Sequence, residues 1–287
     1  MHDVFTHGTL PKLITGAVEI GYQSGALIPI ATDLVVVQEN GLSFPVRVLG
    51  HFEKKLKDPT STATTGNNNP FLPYDSNLFV ANISPSHVCL LNKYPIIEGH
   101  LLIVTRDFEH QETLITYQDF LAAWRCLVEF DGVVFYNSGP VAGASQPHKH
   151  IQLIPHPPEK EAEILPIPQL FKTGLPFRAG YHAYPRVQER LDEAFIRSLH
   201  KRYIELLTSL TLISSKDTEE TPKPYNLLMT REFIMIVPRR AECVEEMSIN
   251  AMGFMGSLFV RDKDQLDRIV SHGIIRALQN AAGGAIG

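Results

Sequence analysis

An α+β fold built on an antiparallel sheet is what this sequence predicts, and three observations predict it. Apolar runs of strand length outnumber stretches with helical spacing. The segments joining those runs are mostly too short for the crossovers that parallel strands need. Asn40-Gly41 stands between two β-branched runs, the strongest short signal for a hairpin.

The elements follow in order. Residues 1–30 mix Gly, Pro and apolar residues and read as a first helix or an arm. Val35-Val-Val37 and Phe44-Pro-Val-Arg-Val-Leu49 flank the Asn-Gly turn as hairpin strands. Residues 57–70, rich in Thr, Asn and Ser, read as a loop. Three antiparallel strands are expected at 78–83, 88–91 and 100–105. Thr116-Tyr-Gln-Asp119 has the form of a capping box, opening a helix whose apolar face carries Phe120, Trp124, Leu127 and Val128. A strand over 132–136 and another over 151–154 come next. Pro155, Pro157, Pro158, Pro166 and Pro168 then interrupt regular structure, so residues 156–184 read as a crossover. It divides an N-terminal region, 1–155, from a C-terminal region, 185–287, which looks too thin to fold alone and is expected to pack on the same unit. There, Leu191, Phe195, Leu199, Tyr203, Leu206 and Leu210 recur at helical spacing. Residues 225–230 and 234–237 read as a hairpin, and 264–282 as one closing helix.

Composition narrows the function. With 287 residues, 44% of them hydrophobic, the chain can build a sizeable core. A formal charge of -5 and the lack of a dense Lys/Arg run argue against a nucleic-acid partner. A small anionic substrate remains compatible, since a local pocket can be positive on an acidic protein. Cys89, Cys126 and Cys243 lie far apart with no Cys-x-x-Cys pair, which argues against a disulfide framework or a cysteine-built zinc site and for reduced thiols in a cytoplasmic protein. No signal peptide and no bilayer-spanning run is expected.

The chemistry concentrates between Asn137 and Ile154. His148, His150 and Gln152 alternate, and side chains two apart on a strand share a face. Two imidazoles and an amide therefore enter one space, while Lys149, Ile151 and Leu153 point away. Just before them, Gly143, Ala144, Ser145 and Gln146 offer backbone N–H groups and two polar side chains, a good surface for phosphate oxygens. A nucleophilic imidazole beside phosphate donors points to nucleotidyl transfer.

Ser145-Gln-Pro-His-Lys-His-Ile-Gln152 resembles the histidine-triad (HIT) superfamily, in its transferase branch, where the last position is Gln. Asn137-Ser-Gly, Gly143-Ala-Ser-Gln, Leu91-Asn-Lys-Tyr-Pro and His100-Leu-Leu-Ile-Val-Thr are similar to the diadenosine tetraphosphate phosphorylases, also called ATP adenylyltransferases. Tyr225-Asn-Leu-Leu-Met-Thr and Val237-Pro-Arg-Arg240 fit that family's C-terminal segment. The resemblance runs from about residue 45 to the C-terminus. It implies a HIT-like antiparallel sheet flanked by helices. It also implies reversible phosphorolysis of diadenosine tetraphosphate to ATP and ADP, with dinucleoside polyphosphates, ATP, ADP and phosphate as ligands.

In that reading His150 is the nucleophile, since a neutral imidazole is effective near pH 7. It would attack the α-phosphorus, expel the polyphosphate and carry an adenylyl group until phosphate takes it. His148 orients it. Gln152 donates an N–H to the transferring phosphoryl group but cannot shuttle a proton, which favours an intermediate that waits for phosphate. Ser145 and Gln146 bind the polyphosphate. Asn137 either fixes the loop or hydrogen-bonds a phosphate or His150. By resemblance, Lys54, Asn92 and Lys93 match substrate-contacting positions, and Asn226, Thr230 and Arg231 fall in the segment that reaches the nucleotide. No tightly bound cofactor and no protein metal site are expected, although a divalent ion such as Mg²⁺ can travel with the polyphosphate.

Three rivals stand beside this reading. A hexose-1-phosphate uridylyltransferase would pair the motif with zinc ligands including cysteines, a pattern not found here. A dinucleoside polyphosphate hydrolase would release AMP without phosphate. A binding module would hold the dinucleotide without turnover. The sequence leaves base preference, polyphosphate length and oligomeric state open.

Overall fold

The computed structural model describes residues 4–49, 69–155, 166–171, 174–186, 191–214 and 221–283. The chain begins with helix α1 (Leu10–Ser24), the hairpin β1 (Thr32–Glu39) and β2 (Leu42–Leu49), and strands β3 (Phe79–Asn82), β4 (His87–Leu91) and β5 (Leu101–Thr105). Helix α2 (Tyr117–Leu127) leads to β6 (Gly132–Asn137) and the motif strand β7 (His150–Pro155). A single helical turn, Ile167–Leu170, precedes β8 (Gly180–Ala183) and helix α3 (Glu193–Ser209). Strands β9 (Tyr225–Met229), β10 (Phe233–Pro238), β11 (Cys243–Val244), β12 (Met247–Ser248) and β13 (Leu258–Val260) follow, then α4 (Lys263–His272) and α5 (Ile274–Ala281).

Eight strands form one antiparallel sheet in the order β3-β4-β5-β7-β6-β9-β10-β8. Within it β6 pairs with β9, so strands from either side of the proline-rich passage share one ladder. A second sheet, β1-β2-β13, pairs the N-terminal hairpin in parallel with a C-terminal strand. This tie explains why Phe44 and Val46 are buried together with Met247, Phe254, Leu258 and Leu278. The loop assigned to 57–70 falls largely outside the described residues, as do 156–165 and 172–173 of the crossover assigned to 156–184, whose described part contains β8, paired with β10.

Directly opposed residues of antiparallel strands project to the same side. One side of the large sheet carries Ile103, Ile151, Val134 and Leu227 and packs on α1, α2 and α3, with Trp124 and Tyr203 wholly buried. The other side carries Val104, His150, Gln152, Phe135 and Leu228. Over β6, β9 and β10 it is covered by the C-terminal elements. Over β3, β4 and β5 it holds a small apolar cluster of Val88, Leu90, Leu102 and Val104 under Phe71. His150 and Gln152 stand between these two covers.

Local chemistry sets several element ends. Asn40 and Gly41 both have positive φ, 51° and 77°, as the two-residue turn requires. The capping box closes in both directions: Asp119 N donates to Thr116 Oγ1 (3.2 Å) and Thr116 N to Asp119 Oδ2 (2.7 Å). The single helix expected over 264–282 is corrected to two. Gly273, at φ 93°, breaks it, and Glu39 from the hairpin accepts hydrogen bonds from Ile274 N (2.6 Å) and Ile275 N (3.2 Å). A carboxylate at a helix N-terminus satisfies unpaired N–H groups and opposes the helix dipole, so a new helix starts there.

Lys149 faces away from the histidines, as alternation predicts, and it is not solvated. Its ammonium is buried against Asp119 (2.8 Å), Glu109 (2.9 Å) and the Leu114 carbonyl (2.9 Å). Burial would raise the Asp119 carboxyl, but the hydrogen bond from His87 and the charge of Lys149 hold it well below the usual carboxylate range. The start of α2 is thus pinned to the back of the motif strand. Lys149→Met should lower the unfolding free energy by about 3–5 kcal/mol, because it removes one partner of a buried ion pair and leaves Asp119 only the hydrogen bonds from His87 and Thr116. Urea unfolding near pH 7 reads this directly, and a loss below about 1 kcal/mol would deny the ion pair that role.

Candidate active site

His150 is the first residue of β7 and is almost wholly buried. Its Nδ1 lies 2.8 Å from the His148 carbonyl oxygen. A carbonyl only accepts, so Nδ1 carries the proton and Nε2 keeps its lone pair. Burial pushes the pKa of His150 down to about 4, which keeps the ring neutral at physiological pH. Nε2 has no hydrogen-bond partner among the described residues. This is the form of imidazole that can attack an electrophile.

His148 is also buried, and burial lowers its pKa. Its Nε2–H donates to the Thr105 carbonyl (2.9 Å), and its Nδ1 accepts from Asn69 Nδ2 (2.8 Å). Both ring nitrogens are engaged, so His148 offers the site its backbone carbonyl. Phe71 lies against both rings, at 5.5 Å from His148 and 5.4 Å from His150.

Gln152 sits one pleat further along the same face. Its Oε1 accepts from His100 Nε2 (2.9 Å), and His100 Nδ1 accepts from Asn92 Nδ2 (3.1 Å). Asn92 Oδ1 in turn accepts from Tyr94 N (3.1 Å). Burial drives the His100 pKa down to about 4, so its single proton goes to Gln152. The relay settles the orientation of the amide: the carbonyl end is held and the NH₂ end is left to donate. Lys93, next to Asn92, is exposed, with its Nζ 5.6 Å above the Tyr94 ring.

The loop before β7 bends through Gly139, a 3-10 turn (Pro140–Ala142) and Gly143. Gly143 has φ 91°, and a Cβ there would meet Asn250 at 3.1 Å and the Ile249 carbonyl at 3.2 Å. Only glycine fits that close approach without strain. Among the described residues, neither the backbone N–H groups nor the side chains of Ser145 and Gln146 have a protein hydrogen-bond partner. With Ala144 and Gly139 they line a cavity of about 190 Å³, opposite His110 and Glu112. A larger hollow of about 580 Å³, lined by Phe5, His7, Arg125 and Leu191, contains no motif residue.

The remaining candidates divide. Asn137 is buried behind the loop, where its Oδ1 accepts from Ala251 N (2.9 Å) and Asn226 Nδ2 (2.8 Å). Asn226, wholly buried, also donates to the Ala142 carbonyl (2.9 Å) and accepts from Arg239 Nη1 (2.6 Å). Burial lowers the Arg239 pKa to about 10, and its other donors reach the Ala142 (3.1 Å) and Ala241 (2.6 Å) carbonyls. This chain underpins the loop from beneath. Thr230 Oγ1 accepts from Glu232 N (3.1 Å) and Phe233 N (3.3 Å), closing the β9–β10 turn. Arg231 is buried and caps the end of α2 through the Leu127 (3.1 Å) and Val128 (2.8 Å) carbonyls. The structure therefore places His148, His150 and Gln152 on one stretch of β7, links Gln152 through His100 to Asn92, sets Ala144, Ser145 and Gln146 on a separate cavity wall, and gives Asn137, Asn226, Thr230 and Arg231 structural partners. Lys54 lies outside the described residues.

Sequence reasoning left out His100, Asn69 and Gln111. His100 begins a predicted strand but has no companion in the sequence, and Asn69 lies in a stretch read only as loop. Among the described residues no group of three or more His, Cys, Asp or Glu is placed to hold a metal ion, and no helix is long and apolar enough to cross a membrane.

With this geometry in view, comparison with known proteins is informative. A family model described as the Ap4A phosphorylase N-terminal domain matches residues 1–173, and one described as the ATP adenylyltransferase C-terminal domain matches residues 173–283. Protein APA1 of Saccharomyces cerevisiae is 27% identical over 291 residues, covering 91% of this chain and 89% of its own. Diadenosine 5',5'''-P1,P4-tetraphosphate phosphorylase 2 of the same yeast is 28% identical over 289 residues, covering 82% and 87%. The crystal structure of yeast Ap4A phosphorylase Apa2 in complex with AMP matches with a TM-score of 0.78 at 21% identity, over 99% of this chain and 100% of that one. At that identity the likeness shows a shared fold.

The neutral rings of His100 and His150 predict a pH dependence. In the unfolded chain each would titrate near 6.5, and in the fold each titrates at about 4. Between those values the unfolded state binds more protons, so stability falls as pH falls, by about 1.4 kcal/mol per pH unit for each ring. Urea unfolding from pH 6.5 to 4.5 should show this slope, and His100→Asn should make it shallower by about one ring's share; an unchanged slope would mean His100 is not held neutral.

Proposed function

We propose, for a chain that belongs to the Ap4A phosphorylase family, that it phosphorolyses diadenosine tetraphosphate (Ap4A) to ATP and ADP through an adenylyl group carried on His150. The observation that carries this reading is the bare, neutral Nε2 of His150, on the strand that follows a loop whose Ser145 and Gln146 donors have no protein partner among the described residues.

The steps balance. The Nε2 lone pair attacks the α-phosphorus, the P–O bond to the triphosphate breaks, and ATP leaves. The adenylylated ring is now cationic, and the His148 carbonyl on Nδ1–H supports that charge where it forms. Inorganic phosphate then attacks the same phosphorus, the P–N bond breaks, and ADP leaves with the ring neutral again. Reversal of both steps joins ATP and ADP.

The other side chains orient and stabilise. Gln152, with its carbonyl end held by His100, directs its NH₂ at a non-bridging oxygen of the transferring phosphoryl group. Ser145 and Gln146 supply donors to the polyphosphate, where positioning and fixed dipoles carry most of the rate. Lys93 adds charge at the rim. The apolar strip of Leu90, Leu102 and Val104 under Phe71 gives a nucleoside a non-polar surface next to the nucleophile. A divalent ion such as Mg²⁺ accompanies the polyphosphate as part of the substrate. The cytoplasm is the compartment that sparse, unpaired cysteines favour.

Gln152 also explains why phosphate, rather than water, is the acceptor. An amide can neither protonate a leaving group nor activate water at neutral pH, so the intermediate persists until a better nucleophile arrives.

Turnover of Ap4A in ¹⁸O-labelled phosphate tests the reading. Label should appear in the terminal phosphate of ADP and not in ATP, and His150→Ala should lower turnover about a thousandfold or more. Gln152→His should raise release of AMP in phosphate-free buffer. Equal production of AMP and ATP by the natural protein without phosphate would overturn the proposal.

A further inference from the structure

The ladder between β6 and β7 runs from Gly132↔Pro155 to Phe135↔Gln152 and stops. Continued in register, it would pair Tyr136 with Ile151 and then Asn137 with His150. The Gln111 side chain lies there instead. Its Oε1 accepts from His150 N (2.8 Å), and its Nε2 donates to the His150 carbonyl (3.2 Å) and the Asn137 carbonyl (2.8 Å). Gln111 is fixed at its own backbone too: its N–H donates to the Pro147 carbonyl (2.8 Å), and its carbonyl accepts from the Tyr136 hydroxyl. It is buried, and nothing in the reaction described above uses it.

We propose that Gln111 is a positioning residue for adenylyl transfer: its carboxamide replaces the missing β6 partner of His150 and fixes, on that side, the backbone from which Nε2 is aimed. This rests on the functional reading above. The imidazole has one anchor of its own, the bond from Nδ1–H to the His148 carbonyl two residues back. That bond fixes the ring relative to the local backbone. Where Nε2 stands is then set by what fixes the local backbone to the sheet: β5 pairs Val104 with His150 on one side, and on the β6 side an interaction is needed in place of the absent ladder. Gln111 makes that interaction at both polar groups of the nucleophile's own peptide units. A primary carboxamide suits the place because it presents one acceptor and two donors in a plane, as a paired strand residue would.

Two variants test this. Gln111→Met keeps the volume and removes all three bonds. Its kcat should fall about 10- to 100-fold with KM within about twofold, since small displacements of a reacting atom are costly while the binding surface is intact. Gln111→Glu keeps the shape. Ionised, it would face two carbonyl oxygens with no donor; protonated, its hydroxyl can donate to one of them while its carbonyl still accepts from His150 N. Its kcat relative to that of the natural protein should therefore rise as pH falls from 8 to 6, since His150 is neutral throughout in both and the titration of inorganic phosphate is common to both. Glu109, His110, Glu112, Tyr136, His148 and His150 are the titratable neighbours, and both proteins share them. Values of kcat within twofold of the natural protein for both variants, a change confined to KM, or a Glu variant that follows the natural pH profile would each overturn the proposal. Should Gln111→Met melt below the assay temperature, the pH profile of Gln111→Glu decides alone. Release of one equivalent of ATP per chain from Ap4A in phosphate-free buffer by the natural protein is the control: its absence counts against the functional reading, and its presence with unaffected variants counts against Gln111.

Discussion

The hydrogen bond from His150 Nδ1–H to the His148 carbonyl is the interaction on which the proposed chemistry depends. It does three things at once. It selects the tautomer with a free Nε2, holds the ring at one angle, and places a negative dipole where, in the proposed reaction, positive charge would appear as Nε2 bonds to phosphorus. Burial completes the device by keeping the ring unprotonated. An exposed histidine would share the same nitrogen chemistry but would spend part of its time protonated and turned away.

Much of the surrounding structure keeps that small arrangement in place. Behind the strand, Lys149 and Asp119 tie the start of α2 to the residue between the two histidines. Beneath the loop that precedes β7, Asn137, Asn226 and Arg239 form a buried chain that links β6, β9 and the end of β10 to the loop and to the segment starting at Ala251. Beside the nucleophile, His100 orients Gln152 and Gln111 pairs with the peptide of His150. These groups are buried and nearly all hydrogen-bonded, which is the condition under which polar side chains in a core specify one geometry rather than several. The C-terminal third is thereby part of the site, although it contributes no nucleophile.

The motif was legible because strand alternation is local: two residues on, same face. That alone put His148, His150 and Gln152 together and sent Lys149 to the other side. The hairpin at Asn40-Gly41 and the capping box at Thr116 were legible for the same reason, each being fixed by the chemistry of a few adjacent residues. Partners distant in sequence were not. Asn226, Thr230 and Arg231 looked like nucleotide contacts because their motif resembles a family segment; their buried bonds to Ala142, to the β9–β10 turn and to the end of α2 depend on how the chain returns to β6. Gln111 carries no sequence signal at all, since its role exists only where one ladder ends. The break at Gly273 escaped the periodicity of 264–282 because a carboxylate from Glu39, far away in sequence, starts the second helix.

The most direct test of the account is mass spectrometry of the protein mixed with Ap4A in phosphate-free buffer and digested without acid, because a P–N bond is acid-labile. The account predicts one added AMP on the peptide that contains His150, removed as ADP when phosphate is supplied. Ap4A turnover with phosphate but no adenylylated peptide, or the added mass on a peptide lacking His150, would contradict it.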